Sequence, residues 1–172
     1  MNNETTPAPA SGASVNNGFI SAGVNLAFSY AAGEAASRFL IALRDEKKIY
    51  GTRCAACGRV LVPARSFCPR CFVDTTEWIE VGPAGTLVAF APASRLRGAP
   101  TALPIGLIRL DRADTALVHF IGEADFDALR IGQRVAAVFA ETRSGCILDI
   151  AYFVRADAPV RPYPETNHAH SI

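Results

Sequence analysis

The spacing of apolar residues predicts one helix in the first third of the chain. Within residues 34–48, Phe39, Leu40 and Leu43 recur at intervals of three and four, which is the period of one helix face. The two lysines at 47–48 place positive charge where a helix dipole is negative, so they favour a helix end at that point. We therefore expect a helix over 34–48.

Alternation of apolar and polar residues replaces this pattern after residue 75 and predicts β-strands. The expected strands are 76–81, continuing through the kink GPAG into 86–91, then 105–111, 115–121, 133–141 and 146–154. The turn at 112–114, which follows Asp111 and ends at Asp114, predicts a hairpin, and the charge pattern of 123–130 favours a short helix. A kinked strand, a hairpin, a helix and two more strands form the order of a five-stranded OB-fold barrel. Another small five-stranded barrel is the alternative.

Four cysteines lie between the helix and these strands, in two pairs of identical spacing. Cys54 and Cys57 form CAAC, followed by Gly58, and Cys68 and Cys71 form CPRC, with ten residues between the pairs. Two cysteines in a tight turn can direct both thiolates at one ion, and the glycine permits the positive φ of such a turn. The spacing is typical of a rubredoxin-like zinc ribbon. Because protein fills all four ligand positions, we expect a structural site and no catalysis by the metal.

The same cysteines are compatible with other chemistry. A pair of disulfides needs an oxidising compartment, and nothing else in the chain indicates secretion. A redox-active CxxC is a second alternative, although two such pairs close together rarely serve that purpose. Iron in place of zinc stays open, because a four-thiolate set binds either metal.

The two ends of the chain differ in composition from its middle. Residues 1–17 are rich in Pro, Ala, Ser, Thr and Asn, whereas 18–33 are apolar without a clean period and can pack on their own domain or on another subunit. The predicted organisation is a flexible or partner-binding arm over 1–33, helix and zinc ribbon over 34–74, OB-fold barrel over 75–155, and an irregular tail over 156–172. The start lacks the basic end and apolar stretch of a signal peptide, so we expect a cytoplasmic protein without a membrane span.

Several motifs together resemble a known family. The segment RDEKKIYGTRCAACGRVLVPARSFCPRC, the strand beginning WIEVGPAGTLVAF, and a barrel containing LPIGLIRLD and IGQRVAAVF are similar to small zinc-ribbon and OB-fold proteins. Such proteins are commonly encoded beside thiolases and related acyl-CoA enzymes. The resemblance covers about residues 34–154. Its paired knuckles are specific, and its barrel part is looser.

The resemblance implies a non-catalytic, zinc-binding subunit of a thiolase-type complex. A thiolase-fold partner would cleave or form a carbon–carbon bond in a β-ketoacyl-CoA or a related acyl-CoA and would supply the catalytic residues. This chain would stabilise the assembly and shape the CoA site, with a CoA thioester bound by or with the partner. Cys54, Cys57, Cys68 and Cys71 match the metal ligands of the family one for one.

Basic residues are concentrated around the ribbon. Residues 44–70 hold seven basic and two acidic side chains, within a chain whose formal net charge is +1. Part of this excess can balance the charge of about −2 on a zinc ion with four thiolates. The other interpretation is a patch that faces an anion. In that case Arg53, Arg65 and Arg70 are candidates for contact with CoA phosphates or with acidic residues of a partner.

The sequence offers no evident catalytic constellation. His119 is the only histidine in the predicted folded region, and its place in the strand TALVHFI favours a satisfied sheet residue over a catalyst. The remaining histidines, His168 and His170, lie in the proline-bearing tail. Cys146 opens an apolar strand, so we expect it to be buried and inert.

Two further classes of function compete with an accessory subunit. A nucleic-acid binding module is the alternative, since OB folds and zinc ribbons both do this work elsewhere. Against it, ten basic residues face fourteen acidic ones outside 44–70. Aromatic residues suited to stacking can equally be core: Phe90, Phe120, Phe139 and Tyr152. An independent acyl-CoA enzyme is the least favoured class, because no catalytic set accompanies it.

Overall fold

The computed structural model describes residues 30–92, 103–122 and 125–156 in full and the backbone of 14–16 and 19–21. It divides into two compact units. The first contains strand β1 (Ser14–Asn16), which pairs antiparallel with β2 (Phe19–Ser21). Most of the predicted arm and tail, with His168 and His170, falls outside the described residues.

The second unit begins with the predicted helix. Helix α1 spans Glu34–Glu46 and buries Phe39, Ala42 and Leu43 on one face. Lys47 takes a left-handed conformation (φ 54) and closes the helix, which therefore ends two residues before the predicted boundary. The Arg143 guanidinium adds a partner for the last turn, since its Nε donates to the carbonyl oxygen of Arg44 at 2.6 Å.

Two antiparallel sheets follow the helix. The ribbon sheet has the order β4-β3-β5, from β3 (Ile49–Arg53), β4 (Val60–Leu61) and β5 (Glu77–Val81). The larger sheet contains β6 (Ala84–Ala91), β7 (Ile105–Leu110), β8 (Leu117–Phe120), β9 (Arg134–Phe139) and β10 (Ile150–Arg155). Its order is β10-β9-β6-β7-β8, which fits the OB fold and confirms the predicted class, mainly β with a helical N-terminal segment.

Three predicted elements differ from the observed ones. The kinked strand divides at Gly82 (φ 65), so that β5 pairs with β3 in the ribbon sheet while only β6 belongs to the larger sheet. In place of a helix over 123–130, the described residues form a 3₁₀ turn at Phe126–Ala128. The predicted strand over 146–154 starts at Ile150, after a second 3₁₀ turn at Ile147–Asp149.

The larger sheet stays open along one seam. Its two edge strands, β8 and β10, meet through a single parallel bridge between Ile121 and Phe153, and the Gly122 N–H donates to the Phe153 carbonyl oxygen at 2.8 Å. A Cβ on Gly122 would lie 2.6 Å from Cγ of Tyr152. Only glycine allows the two edges to approach this closely.

One hydrophobic core runs through helix, ribbon and larger sheet. Buried side chains of α1, such as Phe39, pack in the same cluster as Val62 of the ribbon and Ile108 and Phe153 of the larger sheet. Ribbon and sheet therefore share a core and do not form two separate bodies.

Candidate metal centre

The four cysteines of the ribbon meet at one point. Their sulfur atoms all lie within 4.8 Å of one another, with Cys54 and Cys68 buried and Cys57 and Cys71 half-buried. The Sγ atoms of Cys57 and Cys68 are 3.9 Å apart. A tetrahedron with Zn–S bonds of about 2.3 Å has S···S edges of ~3.8 Å, so the cluster has the dimensions of a four-thiolate zinc site. Among the described residues, no second group of three or more Cys, His, Asp or Glu is arranged in this way.

Each cysteine pair lies in a knuckle, and the two knuckles repeat the same backbone geometry. The Gly58 N–H donates to the Cys54 carbonyl oxygen at 2.8 Å, and the Phe72 N–H donates to the Cys68 carbonyl oxygen at 2.8 Å. Both closing residues have a positive φ, 72° at Gly58 and 55° at Phe72. The first knuckle thus has glycine where the second has a bulky aromatic residue.

Thiol acidity differs within the second knuckle. The Cys71 backbone amide hydrogen-bonds to the Cys68 sulfur and lowers the pKa of the Cys68 thiol to about 7. A hydrogen bond to the Cys57 sulfur raises the pKa of the Cys71 thiol to about 12, because neighbouring sulfurs disfavour a further negative charge. A dication removes this competition, since a thiol that coordinates a metal is deprotonated.

Two threonines fix the segment that carries the second knuckle. Thr52 Oγ1 accepts the Arg65 N–H at 3.0 Å and donates to the Arg65 carbonyl oxygen at 2.9 Å. The Thr75 hydroxyl also donates to that carbonyl oxygen. Both threonines are buried, so the start of the segment is held to β3 inside the fold.

The outer edge of β4 is bonded to the turn between β7 and β8. The Val60 N–H donates to Asp114 Oδ2 at 2.8 Å, and the Asp114 N–H donates to the Val60 carbonyl oxygen at 2.9 Å. Val62, two residues after Val60, is bonded in the same way to the next residue of the turn: Thr115 Oγ1 accepts the Val62 N–H at 2.6 Å and donates to the Val62 carbonyl oxygen at 3.0 Å. Asp114 and Thr115 act in place of a neighbouring strand and join the ribbon to the larger sheet.

The three arginines proposed from sequence occupy different environments. Arg53 forms an ion pair with Glu77 across the ribbon sheet, at 3.4 Å from Nε to Oε2. Arg65 and Arg70 are exposed, and neither guanidinium has an ion pair or hydrogen bond within the part of the chain that the structure describes. Contact of these arginines with CoA or with a partner stays a prediction.

The structure confirms the prediction for His119 and contradicts the prediction for Cys146. His119 is buried on β8, its Nδ1 accepts the Phe120 N–H at 2.9 Å and its Nε2 lies 3.2 Å from the Ile147 carbonyl oxygen, which confirms a satisfied sheet histidine. Burial lowers its pKa. The prediction that Cys146 is buried is wrong. It is exposed because Asp149 accepts the N–H groups of 144–146 and curls this segment away from strand geometry.

Sequence reasoning missed two features near the metal centre. Asp114 was expected to serve only its own turn, and its partner Val60 is too distant in the chain for any local pattern to reveal. An alignment of the two knuckles, CAACG and CPRCF, reveals Phe72, because it occupies the position that corresponds to Gly58.

Comparisons with known proteins agree with this architecture. Two models of one family match the chain: the ChsH2 rubredoxin-like zinc ribbon domain over residues 42–77 and the ChsH2 C-terminal OB-fold domain over 78–140. A crystal structure of a DUF35-family protein of unknown function from Sulfolobus solfataricus is 26% identical, with a TM-score of 0.50 over 62% of this chain and 78% of that one.

A second solved structure shares the fold. It is described as an Ltp2-ChsH2(DUF35) aldolase, is 20% identical, and has a TM-score of 0.58 over 74% of this chain and 99% of its own. No curated protein matches the chain. Within the described residues, no helix combines the length and the apolar character that crossing a membrane requires.

Proposed function

We propose that this chain, which belongs to the ChsH2 family of proteins with a zinc ribbon and a C-terminal OB fold, is a non-catalytic subunit of a thiolase-type complex. The partner subunit has a thiolase fold and cleaves or forms a carbon–carbon bond in a β-ketoacyl-CoA or a related acyl-CoA. This chain stabilises the assembly and shapes the CoA site. The complex works in the cytoplasm, where thiolates are protected from oxidation.

The proposal rests on the contacts that the chemically reactive side chains of the described residues make within the fold. The sulfurs of the cysteine cluster face one another, and the nitrogens of His119 are satisfied by backbone groups. The exposed Cys146 thiol lies 3.7 Å from Asp149 Oδ1, but that carboxylate already accepts the N–H groups of 144–146 and is not a free base of the kind that covalent catalysis needs. Supporting this, the aldolase that shares the fold is described with two components, and an aldolase acts on a carbon–carbon bond.

The metal in this proposal is a structural zinc ion. Cys54, Cys57, Cys68 and Cys71 hold it, as their mutual distances and burial fit a tetrahedral ion. When bound, zinc cross-links the two knuckles and leaves no open position for substrate. The four residues therefore order the ribbon, while the reaction takes place in the partner.

Contact with CoA or partner is assigned to the exposed guanidinium groups of Arg65 and Arg70, because planar guanidinium groups bind phosphate and carboxylate in bidentate fashion. Arg53 contributes less, since Glu77 already neutralises it. The apolar segment 18–33 provides a further surface for the partner.

Isolation of the tagged chain from its native host tests the proposal. We expect a stoichiometric thiolase-fold protein on mass spectrometry, about one zinc ion per chain, and acyl-CoA turnover by the complex. The isolated chain should turn over no acyl-CoA. Recovery of the chain alone or with nucleic acid would overturn the proposal, and turnover by the isolated chain would establish an independent enzyme instead.

A further inference from the structure

The second knuckle carries a strained and exposed aromatic residue. Phe72 has a φ of 55°, a conformation that is unfavourable for a bulky residue, at the position where the first knuckle has Gly58. Glycine there would remove the strain. The Phe72 side chain is 81% exposed, so packing inside the fold does not offset the cost. Strain of this kind, kept at a surface position, indicates that the side chain is used in an interaction.

Two residues close to Phe72 in the chain are also apolar and exposed, and we call the three together the knuckle surface: Phe67, Phe72 and Val73. All three side chains are exposed although they are apolar, and they lie within seven consecutive residues around Cys68 and Cys71. Such a concentration of exposed apolar side chains marks an interaction site more often than isolated ones do.

The charged side chains of the segment that carries the knuckle surface, residues 65–74, are two arginines and one aspartate. Arg65 and Arg70 belong to the same segment, and neither guanidinium is paired within the described residues. Asp74 is the only carboxylate in the segment 65–74. An exposed aromatic residue beside unpaired arginines has the composition of an interface hot spot, in which an anchor enters a pocket and charges meet at its rim.

The backbone holds the anchor in place before any partner binds. The Phe72 N–H is bonded to the carbonyl oxygen of Cys68, whose sulfur belongs to the metal cluster. A preorganised anchor loses little conformational freedom on binding, which favours affinity.

We propose that the knuckle surface docks into an apolar pocket on the catalytic partner subunit whose rim carries carboxylates. Phe72 enters the pocket, and Arg65 and Arg70 pair with the rim. The identity of the partner rests on the proposed function, whereas the chemistry of the contact rests on the residues of the knuckle. A nucleic acid fits less well, because outside 44–70 ten basic residues face fourteen acidic ones, whereas a protein pocket needs complementary charge only at its rim.

Substitution Phe72→Gly tests the proposal without endangering the fold. Glycine adopts φ 55° freely, so the melting temperature of the variant should equal or exceed that of the wild type. Ile131→Ser is the matched control, since Ile131 is 70% exposed and lies far along the chain, between the 3₁₀ turn and β9. Affinity is measured with the catalytic subunit that copurifies from the native host.

We expect Phe72→Gly to weaken binding at least roughly 30-fold, as for an interface hot spot, and Ile131→Ser to leave it within about twofold. The double variant Arg65→Glu and Arg70→Glu should slow association and reduce its salt dependence. Unchanged affinity of a folded Phe72→Gly variant would overturn the proposal for this surface and leave the proposed function intact.

In-cell photo-crosslinking tests the docking surface independently of which protein the partner is. Benzoylphenylalanine is placed at position 72, and at 131 as the control. A crosslink from 72 alone, mapped to a partner peptide with apolar residues beside Asp or Glu, supports the docking surface. If that partner is not a thiolase-fold enzyme, the proposed function fails and the surface stands. The absence of a crosslink at 72, or a crosslink to nucleic acid or to a second copy of this chain, contradicts the proposal.

Discussion

The bond between Thr115 and the ribbon makes a quantitative prediction. Substitution Thr115→Val keeps the shape of the side chain and removes its hydroxyl, which now accepts the Val62 N–H at 2.6 Å and donates to the Val62 carbonyl oxygen at 3.0 Å. Val62 is only 1% exposed, so water cannot replace the lost partner. Two hydrogen bonds disappear and a buried donor is left without a partner.

The expected cost follows from these contacts. Removing one partner of a buried hydrogen bond costs roughly 1–3 kcal/mol, because the group left behind stays desolvated, and here two bonds are lost. We expect Thr115→Val to lower the free energy of unfolding by about 3 kcal/mol. The control Thr115→Ser keeps the hydroxyl and loses one methyl group, which costs about 1 kcal/mol or less.

Denaturant unfolding with two probes measures this effect. Trp78 is the only tryptophan of the chain and lies on β5, so its fluorescence follows the ribbon, whereas far-ultraviolet circular dichroism follows the secondary structure as a whole, including α1 and the larger sheet. In the wild type the two transitions should coincide because the core is shared. If Thr115→Val and Thr115→Ser differ by less than about 0.5 kcal/mol, then the hydroxyl does not hold ribbon and sheet together and the reasoning is refuted.

Three further predictions concern metal, seam and pH. Removal of zinc by a chelator under reducing conditions should change Trp78 fluorescence and also lower the melting temperature of the larger sheet; an unchanged melting temperature would mean that the sheet is stable without the ribbon. Gly122→Ala should destabilise the fold by about 1–3 kcal/mol in denaturant titrations, because the new methyl group meets the Tyr152 ring, and a neutral effect would show that the seam can open at no cost. His119 has a lowered pKa because it is buried, so the unfolded chain binds its proton more readily, and the free energy of unfolding should fall as the pH drops below about 6.5. His119→Gln should flatten this dependence in titrations between about pH 5 and 7, and an identical slope in both proteins would contradict the assignment.

Local pattern accounts for the parts of the fold that sequence predicted. The ten-residue separation of the two CxxC pairs defines the ribbon, and the alternation of apolar and polar residues defines where the later strands lie along the chain. Both depend on residues that are near neighbours in the chain, where periodicity and ligand spacing act directly.

Long-range contacts explain what sequence could not predict. Asp114 bonds to Val60 and Thr115 to Val62 across more than fifty residues, and no periodicity encodes such a pair. The early part of the expected last strand forms a 3₁₀ turn because Asp149 captures three backbone amides, although its apolar pattern alone favours a strand. Tertiary hydrogen bonding overrode the local preference at this point, and it left Cys146 in solvent.

The strand β5 has a consequence for how this architecture can be inherited. The matches to the two domain models of the family meet between residues 77 and 78, yet β5 spans Glu77–Val81 and pairs along its whole length with β3 of the ribbon. Recombination at that family boundary would leave the ribbon with one residue of its third strand. A gene fusion that grafts this ribbon onto a different barrel must therefore carry the chain through Val81, and the natural crossover point is Gly82, where the backbone turns from one sheet to the next.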